Sequence, residues 1–367
     1  MSRVITITSG KGGVGKTNVS VNVAIYLASH GYRTCLFDAD MGLANIDILM
    51  GIYPEYTLED VFTNNKDIKD IIIRNQSGID IIPGGSGVKK LADPDPDDIN
   101  YLIKSLSELD EYDFFIFDTS AGISQSVVSF CMASPEVILV ITPEPTSLTD
   151  AYSLLKVLCM NCFGGTVMLV INRCMSMEVA NKLYSKFKEV VYKYLKMEVL
   201  PLGTIPLDAR VAKAVKEQQP LISLFPDSDA AKGIRNISRH LISKGLTDIN
   251  EYNMTDFWQK CLEIFQSPLK LSKQNSPKST GTITIKQSNE KDMNKELPGE
   301  EKEAKRDTAK NPFPKEIRSV ISEEIHQMDS RDIYNILNNL VKGISSISSE
   351  LSAIRKIIEK EGDVCVG

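Results

Sequence analysis

Residues 10–17 combine glycines, two lysines and a threonine in the spacing of a phosphate-binding loop. They read Gly-Lys-Gly-Gly-Val-Gly-Lys-Thr and lie between an apolar run and a stretch of helical apolar periodicity. Glycines let backbone N–H groups close around phosphate oxygens, and the N-terminus of the following helix adds a favourable dipole. We expect this loop to bind a nucleotide through Gly10, Lys11, Gly12, Gly13, Val14, Gly15, Lys16 and Thr17.

Three side chains of this loop have separate expected roles. Lys16 is placed to reach the β- and γ-phosphates as a catalytic residue, and the Thr17 hydroxyl is a ligand for Mg²⁺. Lys11 is a second lysine, which an ordinary phosphate-binding loop does not need. Its positive charge beside a triphosphate indicates a further catalytic role.

Aspartates at the ends of two other apolar runs supply the oxygen atoms of a magnesium site. Asp38 and Asp40 follow one run, and Asp118 closes the run Phe-Phe-Ile-Phe. We expect Asp38 to hold the hydration shell of Mg²⁺, Asp118 to hold Mg²⁺ directly or through water, and Asp40 to orient the attacking water. A carboxylate pair at a helix N-cap is the alternative explanation of Asp38 and Asp40. The predicted cofactors are ATP and Mg²⁺.

Two polar segments that follow late apolar runs are candidates for contact with the adenine base. An amide and a flat guanidinium suit hydrogen bonding and stacking on a purine, and a proline fixes the backbone of a loop against it. Turn chemistry alone is the alternative explanation of both segments. The candidate residues are Asn172, Arg173, Pro206, Leu207 and Asp208.

The composition is that of an ordinary soluble protein. The chain has 367 residues, of which 42% are hydrophobic and 25% charged, and its net charge is −6. That acidic balance argues against non-specific nucleic-acid binding, so DNA is not an expected partner. No apolar run reaches the roughly 18 residues of a membrane span, and no signal peptide is expected. Seven scattered cysteines fit a reducing compartment, and the cytoplasm is the expected location.

Apolar runs alternate with helix-like stretches through the first two thirds of the chain and must position these residues. Several of the runs are continuously apolar, as in strands that are buried on both faces of a parallel sheet. We predict a doubly wound α/β domain over residues 1–266, with its ligands at the carboxyl ends of the strands. The strand candidates are 3–8, 34–38, 79–82, 114–118, 137–142, 167–172 and 202–205.

The last hundred residues differ from the rest of the chain in amino-acid composition. Residues 267–312 are polar and poor in aromatics, which predicts a disordered linker. Residues 313–361 contain an apolar seam that predicts a C-terminal coiled-coil helix, with a helix packed back onto the domain as the alternative. The seam consists of Ile333, Leu337, Leu340, Ile344, Ile347, Leu351, Ile354 and Ile358.

With its extra lysine, the loop resembles the deviant Walker A motif of the MinD/ParA family. Four further segments point, within that family, to the flagellar-number regulators known as FlhG, FleN or YlxH, and the resemblance covers about residues 1–245. They are Asp-Ala-Asp-Met-Gly-Leu-Ala-Asn-Ile-Asp at 38–47, Ile-Pro-Gly-Gly-Ser-Gly at 82–87, Asp-Thr-Ser-Ala-Gly-Ile-Ser at 118–124 and Pro-Glu-Pro-Thr-Ser-Leu-Thr-Asp-Ala-Tyr at 143–152.

The resemblance implies an ATP-dependent homodimer in which Lys11 crosses to the phosphates of the partner. It also implies a flagellar GTPase, or flagellar transcription or assembly factors, as partners. The predicted coiled coil lies outside the family core, and it would have an unknown partner of its own. Some relatives carry an N-terminal segment that activates that GTPase. Here the first strand is expected at residue 3, which puts such activation in doubt.

Three weaker signals remain. One face of residues 254–265 is apolar, which fits either reversible contact with the inner face of the cell membrane or packing on the domain. Cys159 and Cys162 form a Cys-x-x-Cys pair that we interpret as buried thiols rather than as an iron–sulfur site. A basic row after residue 208 is interpreted as a solvated helix face. It consists of Arg210, Lys213 and Lys216.

Three functions are therefore compared. The first is an ATP hydrolase that regulates the number or placement of flagella. The second is an ATPase of the same superfamily that acts in cell division or in chromosome or plasmid partition. The third is an interaction scaffold in which the coiled coil is the working part.

Overall fold

The computed structural model describes residues 2–40, 45–63, 66–84, 105–106, 109, 111–243, 253–267 and 269. One eight-stranded sheet runs through them, in the order β3-β4-β2-β5-β1-β6-β7-β8. Its strands are β1 (Arg3–Ser9), β2 (Thr34–Ala39), β3 (Ile73–Gln76), β4 (Ile79–Ile82), β5 (Phe114–Ala121), β6 (Glu136–Ile141), β7 (Thr166–Cys174) and β8 (Val199–Pro206). All neighbouring pairs are parallel except β3 with β4. The predicted mostly parallel α/β sheet is confirmed.

The seven predicted strands are present, with ends that differ by a few residues. Every residue of β1, β2 and β6 is buried, as expected for strands of a parallel sheet that is covered on both faces. Only β3 was not predicted, because it is short, half exposed and polar. It joins β4 through Ser77 and Gly78, both with positive φ, as in a two-residue hairpin turn.

Helices cover both faces of the sheet. They are α1 (Lys16–Ser29), α2 (Asn45–Met50), α3 (Leu58–Thr63), α4 (Ile68–Ile71), α5 (Gln125–Ala133), α6 (Pro145–Met160), α7 (Met177–Leu195), α8 (Ala209–Lys216), α9 (Leu221–Leu224), α10 (Asp229–Ser243) and α11 (Met254–Gln266). Ile116 of β5 belongs to the core that contains α1 and α10, and the neighbouring Phe117 packs with α5 and α11. Alternate side chains of one strand thus serve two helical layers, as in a doubly wound fold.

The C-terminal described helix, α11, packs into the core. Phe257 stacks on Phe117 of β5 with ring centroids 4.4 Å apart, and Trp258 is fully buried. At the other end of α11, Gln125 donates a hydrogen bond to the Ser267 carbonyl over 2.8 Å. The apolar face of α11 therefore packs on the domain, which is the second of the two arrangements that its sequence allows.

Two predictions concern residues outside the described part of the chain. Apart from 267 and 269, the predicted linker at 267–312 lies there, and so does the predicted coiled-coil tail at 313–361. Among the helices that are described, none has both the length and the apolar character that a membrane crossing needs.

Candidate functional site

The phosphate-binding loop joins the end of β1 to the start of α1. Gly13 and Gly15 have φ values of 76° and 93°, in the region that only glycine adopts without strain. Gly15 is the N-cap of α1. Because glycine has no side chain that could accept hydrogen bonds from the first N–H groups of the helix, these donors remain available to a ligand in the loop. The local sequence thus builds the anion cradle that its spacing predicts.

The loop rests directly on helix α6. A Cβ atom added to Gly10 would lie 2.1 Å from the carbonyl carbon of Asp150 and 2.2 Å from the backbone nitrogen of Ala151. Both contacts are with backbone atoms, which cannot rotate away. Glycine at position 10 is therefore required by packing as well as by the motif.

Asp118 lies in the second half of β5, next to the first turns of α1. It is 1% exposed, and its Oδ1 accepts a 2.7 Å hydrogen bond from the Ser20 hydroxyl. Its Oδ2 is buried without a hydrogen-bond partner among the described residues. Burial raises the pKa of Asp118, against the opposing influence of Lys16, Thr17 and Ser20. When this carboxyl group is ionised, its buried oxygen without a partner needs a cation or a water beside it.

Asp38 is the neighbour of Asp118 in the sheet. The two residues are paired in the register of β2 and β5, so their side chains leave the sheet at the same level. Burial, followed by the nearby charge of Asp118, raises the pKa of Asp38 well above its usual range. A buried carboxylate pair next to a threonine hydroxyl is a set of hard oxygen ligands that fits Mg²⁺. The residues Thr17, Asp38 and Asp118 thus suit the predicted metal.

Asp40 follows β2 and is partly exposed. Its backbone N–H donates to the Asp38 carboxylate over 3.1 Å, and its own carboxylate accepts from the Asn45 amide over 3.1 Å. The hydrogen bond from the Asp40 N–H thus links Asp38 to Asp40, the residue that is expected to orient the attacking water. Asp38 also accepts a hydrogen bond from the Ile46 N–H at the start of α2, so the helix-cap contact of the alternative explanation is present beside the bond from Asp40.

Lys11 is bound within its own chain. Its ammonium group pairs with the Glu144 carboxylate and donates to the Thr146 hydroxyl over 2.8 Å. Glu144 is the N-cap residue of α6, the helix on which the loop rests. The side chains of Lys11 and Glu144 are 36% and 48% exposed, so this ion pair is accessible to water and contributes little to stability. The ammonium group of Lys11 is thus held beside the start of α6 by an ion pair that a more highly charged anion can replace.

The base-side candidates take up two different positions. The Asn172 amide donates to the Val14 carbonyl over 2.7 Å, and so reaches the phosphate-binding loop. Leu207 is 61% exposed, and its N–H donates to the Cys174 carbonyl at the end of β7. The carboxyl ends of β7 and β8, which include Arg173 and Pro206, are therefore adjacent. Their contact with a base stays a prediction.

Asp208 caps two helices. It is the N-cap of α8, and its two oxygens accept bonds of 2.9 Å from the Arg210 guanidinium. It also accepts from the Asp229 N–H at the start of α10. The hydrogen bonds from Arg210 lower the pKa of Asp208 to about 2. Turn and cap chemistry, the alternative weighed from sequence, accounts for this residue.

Three residues at the site were missed. Ser20 lies one helical turn after Lys16 and bonds Asp118, and this spacing of four was a usable signal. Glu144 and Thr146 follow β6 at the carboxyl edge of the sheet, where ligands are expected. Both belong to the segment 143–152, which resembles the family motif. The spacing of residues in that segment does not predict an ion pair with Lys11.

The interpretation of the Cys-x-x-Cys pair as buried thiols is wrong for Cys162. Helix α6 ends at Met160, and Cys162 follows with a left-handed φ of 62° and an exposed side chain. Cys159 is partly buried and bonds the Leu195 carbonyl. In the described part of the chain, no group of three or more potential metal ligands is found.

The sheet, the loop after β1 and the buried aspartate Asp118 of β5 define a P-loop NTPase. Residues 1–242 match the family model ParA, described as NUBPL iron-transfer P-loop NTPase. The chain belongs to this family, and the MinD/ParA resemblance predicted from the motifs is confirmed.

Its similar relatives include an antiactivator and a flagellum site-determining protein. The antiactivator FleN of Pseudomonas aeruginosa is 39% identical over 242 residues, covering 66% of this chain and 86% of the relative. The flagellum site-determining protein YlxH of Helicobacter pylori is 30% identical over 269 residues, covering 71% and 90%. The solved septum site-determining protein MinD of Pyrococcus horikoshii, in complex with Mg-ADP, has a TM-score of 0.54 at 28% identity, covering 68% and 100%.

Proposed function

We propose that the chain hydrolyses ATP to ADP and phosphate in an Mg²⁺-dependent reaction. The observation that carries the proposal is the vacant buried Oδ2 of Asp118 beside the loop that holds Lys16 and Thr17. A bound Mg²⁺ would neutralise phosphate charge and would be held by Thr17, Asp38 and Asp118. The Mg-ADP complex of the related MinD supports this cofactor pair.

The residues of the chain divide the work of phosphoryl transfer. The loop N–H groups bind and orient the phosphates, and Lys16 places a positive charge against the β- and γ-oxygens. Asp40 orients the attacking water, and its carboxylate is held by the Asn45 amide. This arrangement serves positioning and charge stabilisation, which are the main needs of phosphoryl transfer.

ATP-dependent dimerisation is part of the proposal. Lys11 can leave its exposed pair with Glu144 for the phosphates of a second copy, because a triphosphate carries more negative charge than one carboxylate. A lysine supplied in this way stabilises transition-state charge only in the dimer. Hydrolysis would then remove the γ-phosphate that holds the dimer together.

The Asp40→Ala variant tests the switch. It should bind ATP, fail to hydrolyse it, and stay dimeric by light scattering after size-exclusion chromatography. Wild type should return to monomer as its ATP is consumed. Asp227→Ala removes an exposed acid outside the site and should behave as wild type. An Asp40→Ala protein no more dimeric than wild type in ATP would contradict the mechanism.

We further propose that the output is control of flagellar number or placement. The names of the two relatives, an antiactivator and a flagellum site-determining protein, support this cellular role. A flagellar GTPase, or flagellar transcription or assembly factors, would be the partners. The alternative, division-site placement, is supported by the likeness to MinD. Counting flagella and septa in a deletion strain separates the two roles.

The cytoplasm, with reversible contact at the inner face of the membrane, is the proposed location. The apolar face of α11 is buried, so membrane contact through that face requires α11 to leave the core. In sedimentation with anionic liposomes, the protein should pellet with ATP and remain in the supernatant without it. Absence from the pellet in both conditions at low salt would exclude membrane contact.

The scaffold alternative depends on the tail at 313–361. Truncation after residue 266 should leave ATP-dependent dimerisation intact if the ATPase domain is the switch. Loss of partner capture together with unchanged hydrolysis would assign partner binding to the tail.

A further inference from the structure

Cys159 and Cys162 lie together in the turn that ends helix α6. Cys159 belongs to the last turn of the helix and is partly buried, whereas Cys162 follows the helix and is exposed. The Cys162 N–H donates to the Cys159 carbonyl over 3.0 Å. A four-residue turn closed by such a bond brings its first and last Cα atoms within about 7 Å, and a disulfide spans about 4.4–6.8 Å between Cα atoms. The backbone therefore holds the two thiols at a separation that a disulfide can bridge.

This turn has a position at which glycine is the usual residue. The Phe163 N–H donates to the Leu158 carbonyl over 3.0 Å, and together with the bond from Cys162 it forms a Schellman motif. In that motif the residue at the place of Cys162 is left-handed, here with a φ of 62°, which glycine adopts without strain. Non-glycine residues in this conformation are uncommon, and they recur at functional sites.

The surroundings of this pair differ from those of the other described cysteines. Those four thiols are buried, and burial raises the pKa of each of them. They are Cys35, Cys131, Cys174 and Cys261. Because a thiol reacts through its thiolate, they are poor targets for a dissolved oxidant. Cys162 is accessible to such an oxidant, and Cys159 is the neighbouring thiol that can react with its first oxidation product.

We propose that Cys159 and Cys162 are a modification site at which hydrogen peroxide forms a reversible disulfide. The Cys162 thiolate attacks one oxygen of the peroxide, the O–O bond breaks, and Cys162 becomes a sulfenic acid while the other oxygen leaves as water. The Cys159 sulfur then attacks the Cys162 sulfur, the S–O bond breaks, and the hydroxyl leaves with the Cys159 proton as a second water. Two thiols are thus oxidised by two electrons, and one peroxide is reduced to two waters.

The exposure of Cys162 also provides the route back to the thiols. The thiolate of a small thiol such as glutathione attacks the Cys162 sulfur, and Cys159 leaves as thiolate. A second glutathione then releases Cys162 and forms glutathione disulfide. The pair lies at the opposite end of α6 from Glu144, about 24 Å along the helix, so the site does not rest on the proposed hydrolysis of ATP.

Oxidation also has a structural consequence next to the turn. The Cys159 thiol donates to the Leu195 carbonyl at the end of α7 over 3.3 Å. A disulfide has no S–H group, so this bond between α6 and α7 is lost when the pair closes. Hydrogen exchange at the end of α7 should therefore be faster in the oxidised protein than in the reduced protein.

The experiment oxidises the full-length chain and identifies the thiols that remain. Cys365→Ser removes the cysteine of the tail, so that it cannot pair with Cys162. The protein is treated with hydrogen peroxide, alkylated under denaturing conditions and digested with trypsin for mass spectrometry. The peptide 157–173, which contains both cysteines, should lose two hydrogen atoms and both alkylation sites, and it should regain them after incubation with glutathione. Cys131 and Cys174 should stay fully alkylated, as the internal controls.

Two variants assign the steps to the two sulfurs. In Cys159→Ser the oxidation should stop at the Cys162 sulfenic acid, which dimedone traps. In Cys162→Gly, whose glycine suits the left-handed turn, Cys159 should remain reduced. The proposal is overturned by full alkylation of the peptide 157–173 after peroxide, by a disulfide that forms only between two chains, or by equal oxidation of Cys174. A disulfide that glutathione does not reopen would contradict its reversible character.

Discussion

Replacement of Gly10 by alanine tests whether the phosphate-binding loop is seated on helix α6. The new methyl group would lie 2.1 Å from the carbonyl carbon of Asp150, whereas ordinary contact begins at 3.4 Å. The loop and the helix must therefore separate by about 1.3 Å, the difference between these two distances. Overpacking of this kind costs about 1–3 kcal/mol.

Two measurements follow from this displacement. In a domain of this size each kcal/mol lowers the melting temperature by about 2–4 °C, so Gly10→Ala should melt about 3–10 °C below wild type without nucleotide. A shift of about 1 Å in a phosphate-positioning loop should also reduce the rate of ATP hydrolysis by about a hundredfold. Differential scanning fluorimetry and phosphate release measure the two effects.

Gly12→Ala is the control for stability in the same loop. A Cβ atom there meets nothing within 4 Å, so its melting temperature should stay within about 1 °C of wild type. If Gly10→Ala also melts within that range, the backbone contact with α6 does not constrain the loop, and the reasoning fails.

Other predictions concern Asp118, Asp208 and α11. Ser20→Ala removes the donor to Asp118 and should weaken Mg²⁺ affinity about tenfold in a titration of the ATP-bound protein. Arg210→Ala should destabilise the protein at pH 7, because Arg210 lowers the pKa of Asp208 to about 2 in the folded state, from 3.8. Since a lowered pKa stabilises above the unfolded value, the deficit should shrink below about pH 4 in urea denaturation. Trp258→Ala should lower the free energy of unfolding by about 3–5 kcal/mol in the same assay.

Each of these predictions has a matched comparison. Ser238→Ala removes a buried hydroxyl that bonds only a helix carbonyl and should leave Mg²⁺ affinity unchanged. Lys213→Ala removes an exposed cation of the same helix as Arg210 and should show no stability deficit at pH 7. Tyr192→Ala removes an aromatic ring that is 59% exposed and should cost little. A Mg²⁺ affinity equal to wild type in Ser20→Ala, a deficit in Arg210→Ala that is as large at pH 2 as at pH 7, or a Trp258→Ala cost below about 1 kcal/mol would contradict the respective argument.

The sheet could be predicted from sequence because its central strands are buried on both faces. Continuous apolar runs such as 114–117 have no other stable environment in a protein of this composition. The strand β3 contains no apolar run. It forms because it pairs with β4 through the turn at Ser77 and Gly78.

The metal-side aspartates could also be predicted, because each lies in the second half of a strand and the carboxyl ends of parallel strands meet at one edge. Asp38 and Asp118 lie in register for this reason. The contacts of Lys11, Asn172 and Asp208 could not be predicted, since each depends on which loops lie next to each other in space. A polar side chain at the end of a strand can face a ligand, a neighbouring loop or a helix cap, and local sequence does not distinguish these partners.

The hydrogen bond from Gln125 to the Ser267 carbonyl joins the start of α5 to the end of α11. Gln125 is the first residue of α5, directly after the turn that follows Asp118 and β5. The described part of the chain therefore ends just after a contact with α5, and nearly one hundred further residues follow residue 269 in the sequence. The start of α5 thus contacts both the turn after β5 and the end of α11. If ATP binds as proposed, a movement of that turn would act on the helix that holds the end of α11.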